Sequence, residues 1–180
     1  YDAERYQAIC EIAAEMVAGQ AGVEVGYVAD LFGAQAGYAT PKVDVRGIVL
    51  REGEILLVQE HMDGLWTVPG GWADPGDTPA EAVQREIREE AGYEARAVRL
   101  LAVYDRARQG HLPPHPFSIY KLFFLCEITG GEPHTSDETD AVAFFPLPNL
   151  PPLSLARVTP RQIARLAYLA AHADLPADFD

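Results

Sequence analysis

Three glutamates are spaced so that they can act together. Arg85-Glu86-Ile87-Arg88-Glu89-Glu90 lies in a stretch with helical periodicity. At about 100° per residue, positions i, i+3 and i+4 share one face. Glu86, Glu89 and Glu90 therefore project together. Carboxylates crowded in this way repel one another unless a cation sits among them. Their oxygens are the ligand type that Mg²⁺ and Mn²⁺ prefer.

The elements that must position them can be read from the flanking residues. Thr78-Pro79-Ala80-Glu81 is a capping box, with Thr78 as N-cap and Pro79 at the first helical position. Glu81 to Arg85 and Arg85 to Glu89 are i,i+4 pairs. Ala80, Val83, Ile87 and Ala91 form an opposing apolar stripe for a core, and Gly92 suits a left-handed helix end. Pro69-Gly70-Gly71 predicts a tight turn with accessible backbone, and residues 72–77 a loop. The unit is a loop followed by a helix, with acids facing the loop backbone.

Taken whole, residues 71–93 resemble the Nudix box, G-x5-E-x7-R-E-U-x-E-E-x-G-U, where U is aliphatic or aromatic. Each defined position matches except Asp77, which stands where that family has Glu and is shorter by one methylene. The resemblance implies an α/β/α sandwich with a mixed sheet, the box forming a loop–helix–loop at one sheet edge. It also implies hydrolysis of a phosphoanhydride. Metal ligands would be Glu86, Glu89, Glu90 and the backbone carbonyl of Gly70, holding Mg²⁺ (or Mn²⁺). Arg85 would orient Glu89. The catalytic base would come either from the acidic loop 136–140, where Glu138 is the candidate, or from a box glutamate such as Glu86.

Length and charge fit this reading. A chain of 180 residues with 48% hydrophobic residues can bury a sizeable core in one main domain. No apolar run is long enough to span a membrane and no signal-peptide pattern is evident, so a cytoplasmic protein is expected. The chain opens at Tyr1 rather than Met, so residues are expected to precede it. Cys10 and Cys126 lack a CxxC partner and read as reduced, buried thiols. The formal net charge of −13 disfavours a nucleic-acid partner, which needs a basic surface. A phosphate substrate would be repelled too, unless cations intervene. Twelve of the fourteen basic residues are Arg, which suits bidentate phosphate contacts.

Two regions are predicted. Residues 1–37 read as a helical N-terminal region. Its first helix, 2–18, carries Tyr6, Ile9, Cys10, Ala13, Met16 and Val17 on one face. A second, from about Val23 to Phe32, is closed by Gly33 and Gly37, and residues 38–41 form a linker. Residues 41–180 read as the main domain. Strands are expected at 43–49, 55–58, 97–104, 119–128 and 141–145, with a hairpin turn at 51–54 and a final helix after Thr159-Pro160 that turns Ile163, Leu166, Ala167 and Ala170 inward.

The helical N-terminal region, Val43–Gly47, Glu138–Phe145 and the stretch around Leu150–Ser154 resemble the Nudix subgroup that cleaves nucleoside diphosphates linked to a second group X, such as CDP-choline and ADP-ribose pyrophosphatases. The implied partner is a small-molecule nucleoside diphosphate derivative, and the implied assembly a homodimer using the N-terminal helices. A nucleoside triphosphate pyrophosphatase and a non-catalytic nucleotide-binding regulator are the alternatives. The N-terminal helices disfavour the first, and the retained box acids disfavour the second.

Further candidates come from position alone. Arg46, on the first main-domain strand, could reach a diphosphate if it points inward, or face solvent if outward. Glu60 could add an outer metal contact. Tyr104 and Phe117, with Trp66 and Tyr120, could stack on a base or pack in a core. His111 and His115 lie in a Pro-rich loop and are expected to be exposed.

Overall fold

A computed structural model describes residues 2–34, 40–115 and 117–180. The chain divides into two compact units, Tyr1–Thr40 and Pro41–Asp180. The expected helix-closing Gly37, and Tyr38 and Ala39 of the expected linker, lie outside the described residues.

In the first unit, α1 (Asp2–Ala21) and α2 (Val25–Ala34) pack through Ala14, Ala18 and Val28. Gly22, at φ 68°, ends α1. Of the apolar stripe, Tyr6, Ile9, Met16 and Val17 are exposed in the single chain. Small residues, not the large apolar ones, make the contact between these helices. Cys10 is exposed as well, contrary to expectation.

The second unit starts with β1 (Lys42–Ile48), β2 (Leu50–Arg51), β3 (Glu54–Glu60) and β4 (Trp66–Thr67). It continues with α3 (Pro79–Ala91), β5 (Tyr93–Asp105), β6 (Ile119–Gly131), β7 (Thr139–Pro146), α4 (Pro160–Ala171) and β8 (Asp178–Phe179). Two four-stranded sheets result. One has the order β1-β6-β5-β8, and the other β2-β3-β4 with β7 on the far side of β3. The first is mixed, since β1 runs parallel to β6 and β5 antiparallel to it. The β2–β3 hairpin turns through Glu52 and Gly53 at φ 52° and 83°. Two successive positive φ values match the twist of a two-residue hairpin.

Two apolar clusters close the sandwich. Ile48, Leu57, Leu101 and Phe123 meet Ile163, Leu166 and Leu169 of α4. Val45, Leu56 and Val58 meet Ala82, Val83, Ile87 and Ala91 of α3. Each large side chain buried in this way contributes roughly 1.5–3 kcal/mol. Gly47 permits the second contact, because a Cβ there would lie 2.6 Å from Ile87 Cδ1. The structure is the α/β sandwich expected, with helices on a mixed sheet. Among the described residues, no helix is long and apolar enough to cross a membrane.

Candidate active site

The Gly-rich turn is held against β1 by backbone hydrogen bonds. Val45 N–H donates to Gly71 O and Gly47 N–H to Pro69 O, both at 2.8 Å, and Ala73 N–H donates to Val43 O at 3.0 Å. Gly70 adopts φ 140°, and a Cβ there would lie 2.0 Å from Val45 O. Only glycine can bring the turn this close. A Cβ at Gly71 would meet Glu86 Oε2 at 2.6 Å, so the second glycine makes room for a box carboxylate.

Helix α3 is fixed at both ends. Thr78 Oγ1 accepts from the Glu81 amide, while Glu81 Oε2 accepts from the Thr78 amide at 3.0 Å. Gly92, at φ 77°, donates to Arg88 O. The helix thus aims Glu86 and Glu90 at the turn. Both are buried, at 9% and 5% exposure. Glu90 Oε2 accepts from the Gly70 amide at 2.8 Å. Glu89, four-residue partner of Arg85, stays on the outer side with its side chain 53% exposed.

Arg85 organises these acids. Its Nη1 donates to Glu86 Oε1 at 2.8 Å and Glu89 Oε2 at 3.3 Å, its Nε to Asp77 Oδ2 at 3.2 Å, and its Nη2 pairs with Asp74 Oδ2 at 3.3 Å. The short carboxylate at 77 is therefore used to brace Arg85.

Two clefts of about 320 Å³ each meet along Arg85, Glu86, Glu90 and Glu138. Arg46, Glu60, Gly70 and Arg157 also line the first. Glu89, Ser136 and Asp137 also line the second. The acidic loop is anchored there, with Thr139 Oγ1 donating to Glu90 O at 2.9 Å and His61 N–H donating to Glu138 O at 2.8 Å. Glu138 is exposed but stands among the box acids. A larger cavity of about 500 Å³ near α4 is lined by Leu147, Leu150, Ile163 and other apolar residues. It holds no group that can do acid–base or metal chemistry.

Electrostatics distinguish the first cleft. Burial pushes the Glu90 carboxyl up to about 8, and nearby Glu60 and Glu86 add to the effect against Arg46 and the Gly70 amide. Burial also raises Glu86 and Glu60. Crowded, desolvated carboxylates with raised pKa are typical of functional sites. Among the described residues, no three Asp, Glu, His or Cys side chains already stand as a closed ligand set. The donors nevertheless fit a hard divalent cation. They are all oxygen, Glu86 and Glu90 line both clefts with Gly70 on the first and Glu89 on the second, and the unfavourable ionisation of the buried pair is what a cation relieves.

The first cleft contains Arg46, Glu60, Glu86, Glu90 and Glu138, but not every candidate, since Glu89 lines only the second. Arg46 points inward, 5% exposed, and lies bidentate on Asp44. Tyr104 is buried in the α4-side core, and its hydroxyl donates to Asp178 Oδ2 at 3.0 Å. It borders a different cavity, with Arg165 and Gln109, because its position on β5 turns it away from α3. Phe117 is 61% exposed beside His115 and Lys42, and does not line either acid cleft. The aromatic residue on the first cleft is Trp72.

His111 corrects its expectation. It is 5% exposed, its Nδ1 bonds Leu155 O at 3.0 Å, and burial pushes it down to about 4. His115 is exposed, as expected. Cys126 is buried, and burial raises its thiol to about 12.

Sequence reasoning missed a buried network beneath Arg46. Lys121 Nζ lies 2.7 Å from Asp44 Oδ1, and Asp44 faces Lys121 in the β1–β6 register. Burial alone would raise Asp44, but Arg46 and Lys121 outweigh it and hold the carboxyl at about 2. The period-2 spacing of Asp44 and Arg46 was the available signal. Arg157 was missed as well, and a lone loop arginine offers no pattern.

Comparison with known proteins matches residues 40–166 to the NUDIX domain model. The chain belongs to the Nudix family. A curated relative from Bacillus subtilis (strain 168), named as a putative ADP-ribose pyrophosphatase YjhB, is 46% identical over all of this chain and 86% of that protein. A solved ADP-ribose pyrophosphatase from Streptococcus suis 89-1591 aligns with a TM-score of 0.72 at 39% identity, covering 78% of this chain and all of that one. A solved UDP-X diphosphatase aligns with a TM-score of 0.76 at 30% identity, covering 98% of this chain and 85% of that one. The protein is thus a Nudix hydrolase of the pyrophosphohydrolase kind. Enzymes of this family use divalent metal cations.

Proposed function

We propose that this Nudix hydrolase cleaves the diphosphate of a nucleoside diphosphate linked to a second group, of the ADP-ribose or CDP-choline type, to a nucleoside monophosphate and the phosphorylated second group, with Mg²⁺ as the cation. The observation that carries this reading is the meeting of Glu60, Glu86, Glu90 and Glu138 with Gly70 in one cleft. The names of the relatives, ADP-ribose pyrophosphatase and UDP-X diphosphatase, support the substrate class.

Glu86, Glu89, Glu90 and the Gly70 carbonyl are the residues assigned to hold the cation. Bound there, it would neutralise charge on the phosphate oxygens and help position a water. Arg85 keeps Glu86 and Glu89 oriented through its shared Nη1. Glu138, exposed on an anchored loop and lining both clefts, is assigned to take the proton from the attacking water. Glu60 is paired with Arg157 at 2.8 Å and adds to the acidic field of the cleft. The exposed apolar face of α1, with Tyr6, Ile9 and Met16, is assigned to a homodimer contact.

The test is a panel of ADP-ribose, CDP-choline, nucleotide sugars, dinucleoside polyphosphates and nucleoside triphosphates with Mg²⁺, with products separated by chromatography. Nucleoside monophosphate from the first three classes is expected. Pyrophosphate released from triphosphates as the dominant activity would overturn the substrate assignment.

A further inference from the structure

Three arginines line the first acid cleft, and they differ in what their nitrogens have left to give. Arg46 places Nε and Nη2 on the two oxygens of Asp44, each at 2.9 Å, and Nη1 on Val68 O at 3.3 Å. Arg85 spends Nε on Asp77, Nη1 on Glu86 and Glu89, and Nη2 on Asp74 and Trp72 O. Every nitrogen of both guanidinium groups has a partner.

Arg157 is arranged differently. It sits on the loop between β7 and α4. Its Nε lies 2.8 Å from Glu60 Oε1, and its Nη1 donates to Asp63 Oδ2 at 3.1 Å and to Ser154 Oγ at 3.0 Å. Ser154 Oγ in turn donates to Asp63 Oδ2 at 2.8 Å, so the anchor is itself braced. Among the described residues, Nη2 has no hydrogen-bond or ion-pair partner. The side chain is 20% exposed, against 6% for Arg46.

We propose that Arg157 is the side chain that contacts the substrate's diphosphate, with Nη2 donating to a non-bridging phosphate oxygen while Nε and Nη1 stay on Glu60 and Asp63. The assignment rests on the pyrophosphohydrolase reading above and adds a residue that reading does not use for substrate. A guanidinium matches phosphate geometry and stays charged at any working pH. The cleft already holds five carboxylates, Glu60, Asp74, Glu86, Glu90 and Glu138, so an incoming diphosphate needs a cation whose donors are not all engaged. Two anchored nitrogens also hold the fork in place before binding, so less side-chain entropy is lost when the third engages. Arg46 then acts from behind as a buried positioning residue, tied into Asp44 and Lys121.

The test is steady-state kinetics on ADP-ribose with saturating Mg²⁺ for the wild type, Arg157→Gln, Arg157→Lys and Asp63→Asn, each checked by thermal melting. A hydrogen bond to a charged group supports a rise in KM of about 10–100-fold for Arg157→Gln, with a smaller change in kcat. Arg157→Lys should recover part of that loss. Asp63→Asn, which loosens the anchor but leaves the charge, should keep KM close to wild type. An unchanged KM in Arg157→Gln overturns the assignment. So does an Asp63→Asn variant that matches Arg157→Gln in both KM and melting temperature, because Arg157 would then be only a strap for its loop. Wild-type protein that hydrolyses no diphosphate derivative overturns the function itself, before any variant is compared.

Discussion

The Gly70 amide donates to Oε2 of Glu90 across 2.8 Å, joining residues twenty positions apart. This bond ties the Gly-rich turn to the box helix. It exists because the turn backbone passes closer to β1 than any side chain would allow. Gly70→Ala should therefore destabilise the protein by about 4 kcal/mol or more, the range reserved for backbone strain and severe overlap. Urea denaturation would measure it. A loss of under 1 kcal/mol would mean that the turn relaxes easily and that its geometry is not fixed by the glycine.

His111 gives a pH dependence of stability. Burial lowers it from 6.5 to about 4 in the folded protein. Between those values the unfolded chain binds a proton that the folded protein refuses, so stability falls as the pH drops from 6.5 to 4. At about 1.4 kcal/mol per pKa unit, the loss is at most about 3.5 kcal/mol. Glu90, raised to about 8, works in the opposite direction over part of this range, so the comparison must be with a variant. Denaturation of wild type and His111→Gln at pH 7 and pH 4.5 should show a steeper loss for the wild type. Equal losses would show that the His111 environment is not desolvated.

Tyr6, Ile9, Ile12 and Met16 are all more than half exposed on α1. If these side chains are covered in the assembled protein, a second copy is the expected cover. Sedimentation should find the full chain dimeric and a chain lacking residues 1–37 monomeric at low micromolar concentration. A truncated protein that still dimerises would place the interface elsewhere.

Much of this was legible beforehand, and the failures have physical reasons. The capping box, the turn glycines and the 3.6-residue spacing of the acids are local signals, and the structure realises each of them at Thr78, Gly70 and Glu90. Burial is not a local property. The exposure of Cys10 was misjudged because amphipathic spacing says which residues share a face, not whether anything covers it. His111 was misjudged because a Pro-rich loop can fold inward. Tyr104 is aromatic at a strand position and Phe117 in the loop before β6, and only the assembled fold decides what each of them lines. Arg157 and Glu60 are 97 positions apart and meet only in the fold.

Glu138 provides a separate test of the chemistry. If it accepts the water proton, Glu138→Gln should lose most of kcat while cation affinity, measured by calorimetry, changes little, because the box acids hold the ion. The pH–rate profile should lose its acidic limb. Parallel loss of cation binding would make Glu138 a ligand. Unchanged rate and binding would return it to an exposed loop acid and leave Glu86 as the base to examine.

The central claim is that the buried glutamates facing Gly70 perform a cation-dependent pyrophosphohydrolysis. It is tested most directly by the kcat of Glu90→Gln and Glu86→Gln on ADP-ribose at saturating Mg²⁺, with folding confirmed by circular dichroism. Removing a group that stabilises developing charge costs roughly 10²–10³-fold in rate. The account predicts losses of at least that size in both folded variants. Folded variants that turn over at near wild-type rates would contradict it.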